Sequence, residues 1–343
     1  MHQLPRELGY CMPAEWEKHE GTLLAWPHNP ITWEGILKEA EYIWLQMIEA
    51  LHTGEKIFLL VNDAAEEKRV RALLQKRHIN LGQIVFLRLT TGDVWLRDSA
   101  PIFVKSKDKR AAVQWIFNVW GEKYDDIMVD KGLSERIAVA LKEKSFSPGI
   151  VLEGGSIDVN GKGTLLTTEQ CLLNRNRNPM LTKSEIEHYL KDYLGVKHVV
   201  WLKEGVAGDD TDGHVDDFAR FVNETTVVCA FEEHENDKNY KILLRNYELL
   251  QKSCDQQGKK LIVVKLPMPR LVQGKEGRLP ASYANFYIGN KVVVVPIFND
   301  KNDQKALDIL QRFFPDRKVV GIRSEKIVEG FGGLHCVTQQ VPV

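Results

Sequence analysis

The sequence predicts an α/β protein, built either as a closed ring of about five repeated units or as a two-layer sandwich whose hairpins only look alike. Three observations support that expectation. Five stretches share one order: a polar or reactive residue, a strand, a turn, then a second and more apolar strand. Helical patterns fall between these stretches. The landmarks Asp98, Glu153, His214, Tyr283 and Cys336 stand 55, 61, 69 and 53 residues apart, a period that accommodates strands plus a helix.

The strand pairs are "RDSAPIFVKSKDKRAAVQWIF", "EGGSIDVNGKGTLLTT", "GHVDDFARFVNETTVVCAF", "ASYANFYIGNKVVVVPIF" and, circularly, "GGLHCVTQQ" rejoining "HEGTLLAWP". Asn160-Gly161, Asn223-Glu224 and Gly289-Asn290 provide hairpin-type turns. The helices are expected in "GILKEAEYIWLQMIEAL", "EEKRVRALLQKRH", "LSERIAVALKE", "KSEIEHYLKDYL", "YKILLRNYELLQKSCDQQG" and "QKALDILQRFF". Each spaces its apolar residues by three and four, and Thr182 or Ser184 offers a cap. No Pro- or Ser-rich linker divides the chain, so a single domain over residues 1–343 is expected.

Composition narrows the partners. The 343 residues are 43% hydrophobic, and 46 basic side chains nearly cancel 47 acidic ones. That balance argues against nucleic acid or an anionic membrane and favours a small ligand. No apolar run reaches signal-peptide or membrane-spanning length. The five cysteines are scattered without C-x-x-C spacing, which fits reduced thiols in a cytoplasm, four of them as core fillers.

"GDDTDGHVDDFARF" (208–221) is the densest polar run. If His214 opens a strand, His214 and Asp216 share a face, a pair suited to proton transfer beside a cation. Read alone, the run also fits a solvated acidic loop. Asp212, His214 and Asp216 also make a D-x-H-x-D pattern, which would suit a metal-dependent ureohydrolase, although the other motifs such an enzyme needs are missing. In "WLRDSAP", Asp98 beside Arg97 reads first as a surface ion pair. In "LEGGSIDV", Gly154 and Gly155 allow a close backbone approach behind Glu153. Strand alternation over "LHCVTQ" sets Leu334, Cys336 and Thr338 apart from His335, so the adjacent histidine is not expected to be the base for Cys336. Taken alone, Cys336 reads as packing more readily than as a nucleophile. One thiol, one histidine and several carboxylates suit a planar cation, because carboxylates grip a guanidinium through paired hydrogen bonds. A bound cation would also favour the thiolate.

Seven co-linear motifs, "MPAEWEKHEGTLLAWP", "WLRDSAP", "LEGGSI", "LLTTEQCLLNRNRNP", "DDTDGHVDDFARF", "RLPASYANFYIGN" and "GGLHCVTQQ", resemble the agmatine deiminases. That group belongs to the bacterial-type peptidylarginine deiminase family of the guanidine-modifying (pentein) superfamily. The resemblance implies a five-bladed α/β propeller of ββαβ units with pseudo-fivefold symmetry. It implies that Cys336 attacks the guanidinium carbon to form an amidino-cysteine, while His214 shuttles protons. Asp98 and Asp216 would hold the guanidinium nitrogens, and Glu153 would orient and share in proton transfer. Asp210 would contact the substrate, with Trp95 flanking its alkyl chain. The implied reaction converts agmatine and water to N-carbamoylputrescine and ammonia without metal or organic cofactor, in a cytoplasmic protein and compatibly with a homodimer. Free arginine or peptidylarginine are the alternative substrates. Phe331 interrupts the glycine run before Cys336, which bears on the tail pocket. Arg97, Arg220 and Arg278 lie near these motifs.

Overall fold

The apolar β-branched runs become strands and the three-and-four-spaced runs become helices, in a repeated rotation. The computed structural model describes residues 3–107, 109–275 and 277–343. β1 (His19–Ala25), α1 (Leu37–Leu51), β2 (Lys56–Val61), α2 (Ala64–Lys76) and β3 (Ile84–Arg88) come first. The hairpin β4 (Ile102–Ser106) and β5 (Lys109–Val113) follows, with α3 (Leu133–Ala140) and β6 (Lys144–Phe146). The same order recurs in β7 (Ile157–Val159), β8 (Thr164–Thr168), α4 (Lys183–Leu194) and β9 (His198–Leu202). It recurs in β10 (Ala219–Phe221), β11 (Thr226–Phe231), α5 (Lys238–Lys252) and β12 (Ile262–Pro267). The last repeat holds β13 (Tyr287–Ile288), β14 (Val292–Ile297), α6 (Asp303–Gln311) and β15 (Lys318–Arg323), and β16 (Gln339–Pro342) follows.

Among the described residues these strands form five sheets in a mixed α/β fold. Four of them pair a short antiparallel hairpin whose second strand continues through a helical crossover into a parallel third. The first sheet borrows its antiparallel strand from the far end of the sequence. β16 pairs with β1, Leu23 opposite Gln339, and β2 and β3 follow in parallel. The circular pairing expected from the sequence is therefore present.

Local chemistry sets the joints. The Asn160 side-chain oxygen accepts from the backbone N–H groups of Lys162 and Thr164, both at 2.9 Å, while Gly161 takes φ +68°. Thr182 caps α4 in a reciprocal box with Glu185, which leaves Ser184 inside the helix. The core is shared between repeats. One apolar cluster joins the β4–β5 hairpin to β7, β8, β9 and α4, and another joins β8 and β9 to β10, β11 and α5. Cys171 and Cys229 are buried as expected, but Cys11 is exposed and Cys254 half-buried, so those two are not core fillers. No described helix is long and apolar enough to cross a membrane.

Beneath these sheets lies a buried polar hub. Glu15 accepts from Arg220 Nη2 at 3.0 Å, the Ile288 N–H at 2.8 Å and His335 Nε2 at 2.8 Å, and lies 3.3 Å from Arg97 Nη2. Arg97 also donates to Gln339 and Gln340, and Arg220 to Asp158 and the Phe286 carbonyl. Burial alone would push the Glu15 carboxyl up; Arg220, His335 and Arg97 together hold it well below the usual carboxylate range. Removing this carboxylate leaves Arg97 buried without its counter-charge and Arg220 with Asp158 alone. Glu15→Ala is therefore expected to destabilise the protein by about 3–5 kcal/mol, read as a lower midpoint in urea unfolding.

Candidate active site

The 208–221 run does not open as a strand at His214. The Asp209 carboxylate gathers it instead, accepting from the backbone N–H groups of Thr211 (2.7 Å), Gly213 (2.7 Å) and His214 (3.0 Å). Asp212 and Gly213 take φ +67° and +90° to complete the turn. A short 3-10 turn, Val215–Asp217, follows His214, and β10 starts only at Ala219. The pleat that would make His214 and Asp216 co-facial is thus absent, yet the turn brings both to one point. A Cβ built on Gly155 would lie 2.5 Å from His214 Nδ1, 3.0 Å from Asp98 Oδ1 and 3.2 Å from Asp216 Oδ2. Three sequence-distant side chains converge on a glycine that leaves them room.

Asp98 sits on the short helix Leu96–Ser99 and is buried. Its carboxylate accepts from the Gly155 N–H at 2.9 Å and the Trp120 indole N–H at 3.0 Å, and lies 3.8 Å from His214 Nδ1. The expected Arg97–Asp98 surface pair does not form, because Arg97 points the other way into the Glu15 hub. Val119 and Trp120 hold left-handed backbone (φ +59° and +53°), a conformation costly for a β-branched residue. Glu153 accepts from Arg177 Nε at 2.5 Å. Asp216 Oδ2 lies 2.6 Å from His335 Nδ1, whose other ring nitrogen meets Glu15.

Among the buried polar atoms without a hydrogen-bond partner in the described residues, three belong to this group: Glu153 Oε2, His214 Nε2 and Asp216 Oδ1. Orphaned buried carboxylate oxygens are costly, and a cationic donor satisfies them.

Cys336 lies beside this group, in a turn rather than on the strand that alternation suggested. Thr338 closes the turn, its N–H and hydroxyl donating to the His335 carbonyl at 3.0 and 2.9 Å. His335 is indeed not the base, but for a different reason: both its ring nitrogens are taken by carboxylates. Cys336 Sγ accepts from Asn285 Nδ2 at 3.1 Å and stands 3.9 Å from Asp216 Oδ2.

The electrostatics suit a cationic ligand. Burial pushes Asp98 up, opposed by His214 and reinforced by Asp216 and Glu153. Burial also works against charged Asp216, but the His335 hydrogen bond and charge bring it below its ordinary value. Burial would lower His214, and Asp98 foremost holds it well above. The Cys336 thiol is pushed far up by burial, then by Asp216, Asp217 and Asp98. These shifts favour the imidazolium at His214 and the neutral thiol at Cys336.

A cavity of about 370 Å³ leads to Asp98 and Cys336. Trp95 and Trp120 line it, with Phe331 and Asp210 farther along. The Tyr124 hydroxyl donates to Asp210, and burial pushes this carboxyl up to about 6 against that bond. Trp95 is fixed by its indole N–H to Asp93 at 3.1 Å. A Cβ on Gly332 would come within 2.3 Å of the Trp95 ring, so this glycine seats the tryptophan. Of the three arginines singled out in the sequence, Arg97 and Arg220 belong to the hub, and Arg278 pairs with Asp237 at 2.6 Å. Lys275 lines the rim, paired with Glu34 at 2.8 Å.

The D-x-H-x-D triple does not converge. The Asp212 carboxylate is held by Lys123 (2.8 Å), Asn176 (2.9 Å) and Arg177 (2.9 Å). Among the described residues, the side chains close enough to share a metal are Glu153 with Cys171 and His214, and Asp216 with Asp217 and Cys336. Sequence reasoning assigned no role to Glu15, Trp120, Arg177, Asn285 or His335. Four of these five lie inside the seven motifs, and only their partners across the fold reveal what they do.

Residues 11–342 match the Porphyromonas-type peptidyl-arginine deiminase family. A Latilactobacillus sakei protein provisionally designated agmatine deiminase is 38% identical, covering 98% of this chain and 97% of its own. The solved agmatine deiminase of Enterococcus faecalis is 33% identical with a TM-score of 0.91, covering 100% of this chain and 98% of its own. A Cys-to-Ser variant of the C. jejuni agmatine deiminase with substrate bound is 30% identical, with a TM-score of 0.88, over 97% of this chain and 96% of its own. A dimethylarginine dimethylaminohydrolase at 12% identity and TM-score 0.51 shares the fold. The chain belongs to the Porphyromonas-type peptidyl-arginine deiminase family. Because Gly155 packs against three converging side chains, Gly155→Ala is expected to cut kcat by about 100-fold with an unchanged circular dichroism spectrum; retained turnover would contradict the convergence.

Proposed function

We propose that this hydrolase acts on the C–N bond of agmatine, giving N-carbamoylputrescine and ammonia, with Cys336 as nucleophile. The observation that supports it best is the set of orphaned buried oxygens on Glu153 and Asp216 next to Cys336 and His214. In this reading Asp98 and Asp216 grip the guanidinium nitrogens and Glu153 orients the substrate. The arriving cation offsets the carboxylates that keep the thiol neutral, and the Cys336 proton leaves for solvent. The thiolate then attacks the guanidinium carbon. The C–N bond breaks as protonated His214 gives its proton to the leaving ammonia, forming the amidino-cysteine. Water attacks next and His214 takes one of its protons; the C–S bond then breaks, the sulfur leaving as thiolate while the new hydroxyl loses its proton to solvent and becomes the product carbonyl.

The rest of the cavity favours agmatine among guanidines. Asp210 offers a carboxylate to a terminal ammonium, Trp95 flanks the alkyl chain, and no arginine among the described lining residues awaits a substrate carboxylate. Lys275 is the cation that free arginine or a peptidylarginine would meet instead. The five sheets are read as blades of one ring forming a single catalytic domain. The setting proposed is a cytoplasmic, homodimeric enzyme of polyamine synthesis with a small-molecule partner.

Product analysis after incubation with agmatine, with and without a chelator, tests the reading. N-carbamoylputrescine and ammonia, formed equally with chelator, are expected. Putrescine and urea, lost on chelation, would contradict it. Cys336→Ala should abolish turnover yet keep agmatine binding by calorimetry, since the carboxylate grip remains. The acid limb of kcat/KM should fall below about pH 6, where protonation of Asp210 removes the negative charge facing the ammonium. Asp210→Asn should raise KM at neutral pH and flatten that limb.

A further inference from the structure

We propose that Asn285 is a catalytic residue, a neutral side-chain donor that helps hold the Cys336 sulfur as a thiolate through turnover. This rests on the cysteine-hydrolase reading of the site. Asn285 lies just before β13 and is buried, 2% exposed. Its amide nitrogen is 3.1 Å from Cys336 Sγ and 2.9 Å from Asp217 Oδ1. An amide has two hydrogens, and one is directed to each of these acceptors. A longer contact, 3.5 Å, reaches Asp216 Oδ2.

The other end of the same amide fixes the turn that presents the thiol. Asn285 Oδ1 accepts from the His335 N–H at 2.8 Å and lies 3.4 Å from the Cys336 N–H. The Asn285 carbonyl receives the His335 N–H as well, at 3.2 Å. A Cβ on Gly333 would sit 2.4 Å from Asn285 Oδ1, so the second glycine before the cysteine turn makes room for this amide. Asp217 determines which way the amide faces: an acceptor there requires the NH2 on the sulfur side. Asp217 is a positioning residue for the amide in this account, and its own charge close to the sulfur opposes the thiolate.

The chemical need is specific. The ionisable groups that act most strongly on the sulfur, Asp216, Asp217 and Asp98, are carboxylates, and each opposes the thiolate. Substrate offsets Asp98 and Asp216 only while the guanidinium is bound. When the product leaves and the sulfur departs as thiolate, Asn285 still donates to it. A hydrogen bond to a charged acceptor is stronger than one to a neutral acceptor, so its benefit falls on the thiolate rather than the thiol.

The test is the pH dependence of Cys336 alkylation by iodoacetamide in substrate-free enzyme, followed on the Cys336 peptide by mass spectrometry. In that step the thiolate sulfur displaces iodide from the CH2 carbon, so the rate tracks the thiolate fraction. Asn285→Ala is expected to shift the profile up by about one pH unit and lower kcat about 10- to 100-fold. KM for agmatine should change less than about threefold, because Asn285 does not line the tail. Asn285→Asp keeps the shape but adds a carboxylate, and should shift the profile further. Profiles unchanged in both variants, or a loss confined to KM, would overturn the assignment. Alkylation needs no substrate, so it reads Asn285 whichever guanidine is turned over, while wild-type turnover reports on the substrate reading separately.

Discussion

Glu15 lies in a hub that never lines the cavity, yet the cavity's shape depends on it. It holds Arg97 and Arg220 on one side and His335 on the other, and His335 transmits that hold to Asp216. Arg97 stands next to Asp98, His335 next to Cys336, and Arg220 opens onto Asp158 and β13. One carboxylate thus sets the register between segments that meet only in the folded state. Buried charge of this kind is weak support for stability but strong support for geometry, because each partner has few alternatives.

Above the hub the protein keeps a charge imbalance. Asp98, Glu153 and Asp216 are buried close to His214, with two carboxylate oxygens unpartnered. A planar cation with several N–H donors answers that imbalance in both charge and hydrogen bonds. In the proposed mechanism the nucleophile is coupled to the same imbalance: the carboxylates that would attract the substrate also push the Cys336 thiol up. Attack on a wrong, uncharged molecule is disfavoured by the same arrangement.

Much of the fold could be read from period and turn chemistry. The hairpins at Asn160-Gly161 and Gly289-Asn290, the Thr182 cap and the pairing of the chain's far ends are all local or circular patterns, and they occur as expected. The family resemblance singled out Asp98, Glu153, His214, Asp216 and Cys336; Asp98, His214 and Asp216 converge on Gly155, with Glu153 close to His214 and Cys336 beside Asp216. Two local readings failed for one cause. Asp209 folds the backbone before β10, and Thr338 folds it before β16, so the strand alternation assumed at His214 and Cys336 begins only later. His335 and Asn285 lay in motifs already noticed, but their work is done across more than fifty residues of sequence, which periodicity does not report.

The covalent step is the centre of this account, and rapid-quench intact-mass spectrometry of the enzyme mixed with agmatine tests it most directly. The predicted result is a transient species heavier than the free protein by agmatine less ammonia, localised by digestion to Cys336 and absent in Cys336→Ala. Steady production of N-carbamoylputrescine by that variant, or an adduct on another cysteine, would contradict it.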